Sequence, residues 1–212
     1  RCLVVYTAHH IVCDSGSGRL LFRELALLYA ALSRGERPDL APPSKFGHFV
    51  RQETGEAGEA RARQALAYWR ERFTAGAPAL DLPLDRPRPP VKTYRGARQT
   101  LEIDASLTAL LRSTAADQGC TMVGLLLSAF QALLHRLTGQ TTVVVGVAAS
   151  ARSGTDGEGP VGHATNFLPI RIDVRAGLPF TEHLRAAWSL LLDAQDHSAL
   201  TFGTLVRELG VP

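Results

Sequence analysis

The sequence predicts an α/β protein in which helices and a sheet are layered as an α+β sandwich. Short β-branched runs predict strands, stretches with an apolar residue every three or four positions predict helices, and the two kinds of segment intermix along the chain. The length of 212 residues allows one large domain or two small lobes. With 45% hydrophobic and 20% charged residues, the composition excludes a disordered chain, a coiled coil and collagen.

The first forty residues predict a strand, a turn and a helix. The apolar run Leu3–Tyr6 predicts the strand, and Ser15–Gly18, rich in serine and glycine, predicts the turn. Leucines at positions 21, 25, 28 and 32 then fall on one face of a helix, which we expect to end at Gly35. Pro38, Pro42 and Pro43 predict a stiff connection, so we place the main boundary between residues 1–40 and 41–212.

Beyond that boundary, apolar periodicity predicts five helices, and β-branched or alternating runs predict three strands. Four of the twelve prolines fall in residues 82–90, which therefore predict an extended crossing over the surface. Pro169 favours an edge position for the strand that contains it. The predicted helices cover residues 62–73, 107–116, 122–137, 184–191 and 202–209, and the predicted strands cover 94–103, 141–147 and 168–174.

Charge, hydropathy and cysteine usage exclude several classes of function. The net charge of +3 arises from 23 basic and 20 acidic residues scattered along the chain, so we expect no nucleic acid as a partner. No apolar run approaches the roughly 18 residues that span a bilayer, so we expect no membrane partner. The three cysteines, Cys2, Cys13 and Cys120, have neither metal-site spacing nor the even count of a disulfide framework. A cytoplasmic protein is the expectation.

Polar residues that could carry chemistry concentrate between His9 and Gly16. An imidazole at the end of a strand can accept a proton near neutral pH, which makes His10 a candidate general base. Adjacent histidines also occur as structural or solvated residues. We expect no metal site, because the other five histidines have no ligand spacing, and Ser15 lacks the G-x-S-x-G surroundings of a serine nucleophile.

Five segments in order, one of them the helical segment Leu20–Ala31, resemble the condensation domains of nonribosomal peptide synthetases, which belong to the HHxxxD acyltransferase superfamily related to chloramphenicol acetyltransferase. Residues 9–14 (HHIVCD) are similar to the HHxxxDG motif, although Ser15 precedes Gly16 where the family has glycine directly after aspartate. Residues 82–89 (LPLDRPRP) are similar to the family's crossing segment, and residues 161–171 (VGHATNFLPIR) to its V-G-x-x-x-N-x-L-P-x-R motif. Residues 193–209 are similar to the motif that follows. The resemblance covers essentially the whole chain.

The resemblance implies a two-lobed chloramphenicol acetyltransferase-like fold. Residues 1–40 would be the end of the N-terminal lobe with the HHxxxD loop, and residues 41–212 most of the C-terminal lobe. The earliest and last family motifs are not found, so we expect a fragment that is inactive, or nearly so, by itself. The implied activity is amide-bond formation between an acyl or peptidyl thioester and an aminoacyl thioester, in nonribosomal peptide or hybrid polyketide–peptide biosynthesis.

Both substrates would arrive on phosphopantetheine arms of donor and acceptor carrier proteins, next to an adenylation domain, so we expect no cofactor bound directly. His10 would be the catalytic residue, as base or as positioning group. His9 and Asp14 would be structural, with Asp14 paired to an upstream arginine, and Gly16 would offer a backbone N–H to the oxyanion. Asn166 and His197 are candidates for lining the cleft.

Two alternatives stay open. The first is a freestanding HHxxxD acyltransferase that uses a hydroxyl acceptor, in which the same histidine would serve. The second is a condensation-like module that has no catalytic role and recruits a partner or carrier protein. Adenylation and carrier domains in the same parent chain would favour the amide-forming enzyme over both.

Overall fold

The computed structural model describes residues 3–91, 93–151 and 159–210, and within them it contains seven helices and two strands. The strands pair antiparallel in one two-stranded sheet, with Thr141 opposite Val174 and Ala151 opposite Ala164 at its ends. In chain order the elements are α1 (Ser15–Ser33), α2 (Phe46–Thr54), α3 (Glu56–Arg72), α4 (Ala105–Asp117), α5 (Met122–Thr138), β1 (Thr142–Ser150), β2 (Thr165–Asp173), α6 (Phe180–Asp196) and α7 (Phe202–Leu209).

The chain divides into two compact units. The first unit contains the described residues up to Thr74, those of Val147–Leu168 and those from Asp196 onward. The second unit contains the described residues of Ala75–Gly146 and Pro169–Gln195. The predicted division near residue 40 concerns the lobes of a longer domain, and it stays a prediction.

The second unit is held by two clusters of buried apolar side chains. One cluster joins α5, both strands and α6 through Leu134, Val143, Ile172, Val174 and Ala187. The other joins α4, α5 and α6 through Ala115, Leu125 and Leu184. β2 and the residue that follows it contribute the alternate side chains Ile172 and Val174 to the first cluster, because successive side chains of a strand point to opposite faces of the sheet.

The six predicted helices are confirmed. The bounds of α7 agree with the prediction and those of the other five differ by a few residues, whereas α2 was not predicted from the sequence. Capping residues define several of the boundaries. The Thr121 hydroxyl accepts a hydrogen bond from the Gly124 N–H at 3.2 Å and starts α5, and Gly139 ends that helix with a left-handed φ of 72°. In the described part of the chain, no single helix is long and apolar enough to cross a membrane. Only α4 and α5 taken together pass that test of length and composition, and they are bent by 99°.

Two predicted strands and one predicted turn are wrong. Leu3–Tyr6 is irregular and exposed, with Leu3 at 86%, because it has no strand partner among the described residues. Residues 94–103 are irregular too, and Tyr94 has a φ of 55°, a left-handed conformation that a regular strand does not contain. Ser15–Gly18 forms the first turn of α1, because Asp14 caps the helix at that point. The strands predicted over 141–147 and 168–174 are confirmed with shifted ends.

Candidate active site

Asp14 is the residue that starts α1. Its side chain is 4% exposed, and its Oδ1 accepts a hydrogen bond from the Ser17 N–H at 2.9 Å, which is the usual bond of an N-cap. The Ser17 hydroxyl lies 2.9 Å from the same Oδ1. The backbone oxygen of Asp14 accepts the first helical bond, from the Gly18 N–H at 2.9 Å. The helix therefore begins immediately after the segment His9–Asp14, which carries the two histidines.

Asp14 and Ser17 also bind a segment about 150 residues further along the chain. Asp14 Oδ2 accepts hydrogen bonds from the Ala164 N–H at 3.0 Å and from the Thr165 hydroxyl at 3.2 Å. The Ser17 hydroxyl oxygen accepts from the Gly162 N–H at 2.9 Å and lies 2.8 Å from the Gly162 carbonyl oxygen. We call this set, Asp14 and Ser17 with Gly162, Ala164 and Thr165, the Asp14 anchor.

The two histidines sit on the turn that precedes the anchor. The Val12 N–H donates to the His9 carbonyl at 3.1 Å, and the Ile11 N–H donates to His9 Nδ1 at 3.2 Å. The His9 ring is therefore used to shape its own turn. The His10 ring is exposed, and its Nδ1 lies 3.1 Å from Nδ1 of His163. The two rings have centroids 5.1 Å apart and planes at 70°.

Tyr6 and Cys13 stand on either side of this turn. A hydrogen bond with the Cys13 thiol raises the pKa of Tyr6, and desolvation and the charge of the thiolate act in the same direction. The ordinary value is 10.0, so the phenol is protonated at neutral pH. The Tyr6 ring also meets the Phe22 ring of α1 edge to face, with centroids 6.2 Å apart.

Gly16 lies in the first turn of α1, where backbone N–H groups have no partner within the helix. It is not among the described glycines with a positive φ. The extra Ser15 is accommodated as the first helical residue, so the position needs no left-handed backbone. The N–H of Gly16 is therefore a donor at the positive end of a helix dipole, beside the His9–His10 turn.

Asn166 and His197 belong to a second cluster of the same unit. Asn166 is 9% exposed, and its Nδ2 donates to the carbonyls of Ser198 and Leu200, at 3.2 and 2.6 Å. Its Oδ1 accepts from the N–H groups of Phe167 and Phe202, at 2.9 and 2.8 Å. Both polar atoms of the Asn166 amide thus bind backbone groups: Nδ2 binds two carbonyls and Oδ1 binds two N–H groups.

His197 is half-buried and stacks on the Tyr68 ring of α3, with ring centroids 4.0 Å apart and planes within 7°. Its backbone oxygen accepts a hydrogen bond from Trp69 Nε1 at 2.9 Å. These contacts tie the segment that follows α6 to α3. The hydrogen bonds of Asn166 and the contacts of His197 with α3 therefore both hold residues 197–202 in place.

Three residues of this region were not predicted as site residues from the sequence: Ser17, His163 and Thr165. Ser17 is 1% exposed, and the signal that could have found it is an aspartate three residues earlier, at a helix start. His163 and Thr165 fall on variable positions of the V-G-x-x-x-N motif, and no local pattern pairs them with residues 10 and 14. Among the described residues, no group of three His, Cys, Asp or Glu side chains could hold a metal ion.

Comparison with known proteins gives the family. A family profile described as Condensation domain matches residues 1–212. Phosphinothricin tripeptide synthetase PhsB of Streptomyces viridochromogenes is 37% identical over 207 residues, which cover 97% of this chain and 17% of that protein. Tyrocidine synthase 2 of Brevibacillus parabrevis is 35% identical over 212 residues, which cover 100% of this chain and 6% of that protein. The chain spans a small part of these relatives, and it belongs to the condensation-domain family, as the sequence motifs predicted.

Solved structures confirm the predicted α/β, chloramphenicol acetyltransferase-like fold. The first condensation domain of the calcium-dependent antibiotic synthetase, in complex with substrate analogue 3a, matches with a TM-score of 0.80 and 29% identity. That match covers 95% of this chain and 44% of the solved chain. The X-domain in its complex with OxyB from teicoplanin biosynthesis matches with a TM-score of 0.79 and 26% identity, over 96% of this chain and 46% of that one. The chain thus spans less than half of these solved chains.

Proposed function

We propose that this chain is the part of a condensation domain that carries the catalytic histidine, and that the domain forms an amide bond between two carrier-tethered thioesters. The observation that carries this proposal is the exposed His10 on a turn fixed by the buried Asp14 anchor. A base or positioning group must be accessible to substrate and yet held in place. The peptide synthetases among the relatives support the same chemistry.

In the proposed reaction, the amine nitrogen of the acceptor aminoacyl group attacks the carbonyl carbon of the donor thioester. The C–N bond forms and the C–S bond breaks, and the donor's phosphopantetheine thiol is the leaving group. His10 accepts a proton from the attacking amine and returns it to the departing sulfur. A thioester is already reactive, so holding amine and carbonyl together supplies a large part of the rate.

The neighbours of His10 have supporting roles in this proposal. His9 shapes the turn through its Nδ1, and Asp14 joins the turn to the residue 162–165 segment. Gly16 offers its N–H to the oxyanion of the tetrahedral intermediate, where the helix dipole adds to the stabilisation. We place Asn166 and His197 at the wall of the cleft, where they act by holding residues 197–202.

The partners follow from the tethered substrates. Donor and acceptor carrier proteins bring phosphopantetheine arms, and an adenylation domain of the same synthetase activates the amino acid. We propose the cytoplasm as the compartment, since Cys13 and Cys120 are free thiols, which a reducing environment maintains.

The test uses the complete condensation domain of the parent synthetase, with donor and acceptor carrier proteins loaded. We expect His10→Ala to lower single-turnover amide formation by about 10²–10⁴-fold, the usual contribution of general base catalysis. His9→Ala is the matched control, and we expect its loss to follow the loss of folded protein, measured by circular dichroism. A folded His10→Ala domain with the wild-type rate would contradict the assignment.

A second candidate function is recruitment of another protein without catalysis. It is favoured by the likeness to the X-domain of teicoplanin biosynthesis, whose solved structure is a complex with OxyB. The same assay separates the two functions. Carrier binding without amide product in the wild-type domain would support recruitment, and product that depends on His10 would support the enzyme.

A further inference from the structure

We propose that His163 is a positioning residue for His10, which holds that imidazole in the one tautomer able to accept a proton from substrate. This inference rests on the proposed function, because it assigns a role in the same reaction. His163 occupies a variable position of its motif, so the motif implies no role for it.

The contact joins ring nitrogens that are far apart in sequence. His10 Nδ1 and His163 Nδ1 are 3.1 Å apart, which is a hydrogen-bonding distance. A hydrogen bond between two imidazoles requires one nitrogen to carry a proton and the other to present a lone pair. The pair therefore has two possible arrangements, and they differ in what remains at His10 Nε2.

Only one of these arrangements suits the reaction. If His10 Nδ1–H donates to His163 Nδ1, the unprotonated nitrogen of His10 is Nε2, which can accept the proton of the attacking amine. If His163 donates instead, His10 Nε2 carries a proton and has no lone pair to offer. We therefore assign His163 Nδ1 as the acceptor, a role comparable to that of the aspartate in a Ser-His-Asp triad.

The Asp14 anchor places both rings. Gly162 and Ala164, the neighbours of His163, are bonded through their backbone to Ser17 and Asp14. His10 lies four residues before Asp14, on the turn that leads into α1. A Cβ atom at Gly162 would overlap the Phe46 ring, so the backbone that carries His163 is closely packed on α2 as well. The 3.1 Å contact is thus set by fixed backbone on both sides.

The pair also remains bonded after proton transfer. When His10 Nε2 takes the amine proton, the imidazolium still donates from Nδ1 to His163, and the bond becomes charge-assisted and stronger. The ring then returns the Nε2 proton to the leaving thiol, and the starting tautomer is restored. His163 keeps its own Nε2 proton throughout, so no proton is lost from the balance.

The test compares two substitutions of His163 in the complete domain with loaded carrier proteins. In His163→Asn the side-chain oxygen takes the place of Nδ1 and can accept from His10, whereas His163→Leu has similar bulk and no acceptor. We expect the leucine variant to lose about 10–100-fold in single-turnover rate, as is typical when a partner that orients an imidazole is removed. We expect the asparagine variant to stay within about threefold of wild type, a range set by one retained hydrogen bond. His48→Leu, at an exposed histidine of α2, is the matched control with an unchanged rate.

Long-range ¹H–¹⁵N spectra of histidine-labelled protein provide a second measurement, since they distinguish the two tautomers of His10. The wild type and His163→Asn should show His10 protonated on Nδ1, and His163→Leu should show a mixture. A leucine variant with the wild-type rate and tautomer, or an asparagine variant as slow as leucine, would overturn the inference. If His10→Ala also retains the wild-type rate, the proposed function itself fails. If only His10→Ala is slow, the proposed function stands and the role of His163 is refuted.

Discussion

Both compact units bury apolar side chains, and they differ in how their buried polar side chains are bonded. In the first unit, the buried polar residues Asp14, Ser17 and Asn166 bind backbone through short hydrogen bonds. In the second unit, the two clusters are apolar and contain leucine, isoleucine, valine and alanine. Hydrogen bonds fix distance and direction, whereas apolar burial is non-directional and scales with area. The first arrangement suits the positioning of two imidazoles, and the second suits stability.

The contrast predicts different responses to a single substitution. Removing one partner of a buried hydrogen bond leaves the other without compensation, which costs about 1–3 kcal/mol for each orphaned group. An apolar cluster tolerates swaps of similar volume at less than about 1.5 kcal/mol. Changes in the Asp14 anchor should therefore affect both stability and activity, and changes in the second unit should affect stability alone.

The largest effect is expected for Asp14→Ala. This substitution removes the N-cap of α1 and orphans the Ser17 and Ala164 N–H groups, so we expect the free energy of unfolding to fall by about 4 kcal/mol. Amide formation should fall with it, because the His10–His163 contact loses its support. Urea unfolding and single-turnover assays of the complete domain measure both quantities.

Asp104 provides the matched control, because it caps α4 with the same bond, from the Leu107 N–H at 2.8 Å, on an exposed surface. The backbone N–H of Leu107 lowers the pKa of Asp104, and the Ser106 hydroxyl adds to that effect. We expect Asp104→Ala to lower the free energy of unfolding much less than Asp14→Ala does, and to leave amide formation unchanged. Equal losses for the two aspartates would mean that Asp14 acts only as a helix cap.

A smaller effect of opposite sign is expected for Gln131→Leu in the second unit. Gln131 is fully buried on α5, and among the described residues its Oε1 and Nε2 have no hydrogen-bond partner. Replacing an unpartnered amide by an apolar side chain of similar size removes a desolvation cost. We therefore expect the free energy of unfolding to rise by about 1 kcal/mol.

The control for this prediction is Gln140→Leu in the same unit. The Gln140 amide accepts from the Asp81 N–H at 2.8 Å and donates to the Ala79 carbonyl at 2.9 Å. Its replacement should lower stability, because two backbone groups lose their partner. If both variants are destabilised in urea unfolding, the Gln131 amide has a stabilising contact in solution and the apolar description of this unit is incomplete.

Local patterns predicted every described helix except α2, because helical periodicity reflects contacts between residues three and four apart. The same kind of argument failed for Leu3–Tyr6 and for residues 94–103, since a strand depends on a partner that its own sequence does not specify. The turn over Ser15–Gly18 was misassigned because glycine and serine also occupy helix N-termini, once an aspartate caps the helix.

The residues of the candidate site also divide into those that a local pattern identifies and those that it does not. His9, His10 and Asp14 are close in sequence, so the resemblance of one short motif was enough to select them. The contact between His10 and His163 spans 153 positions, and Asp14 meets Thr165 across 151. No periodicity or spacing rule relates residues at such a distance, so these partners became visible only in the folded chain.

The smallest effect is expected from the protonation of His183, a titratable group of the second unit. Partial burial lowers its pKa below the ordinary 6.5, a hydrogen bond from Nε2 to the Ser128 carbonyl partly opposes this, and His135 adds repulsion. The unfolded chain then binds the proton more readily than the folded chain. The contribution of neutral His183 to the free energy of unfolding is therefore complete above about pH 6.5, and it is lost as the pH falls through the lower pKa of the folded state. His183→Gln keeps an N–H at the position of Nε2 and does not titrate. We expect urea midpoints of wild type and variant to agree in their pH dependence above about pH 7 and the wild type to fall more steeply below about pH 6. Parallel curves would show that His183 is as well solvated when folded as when unfolded.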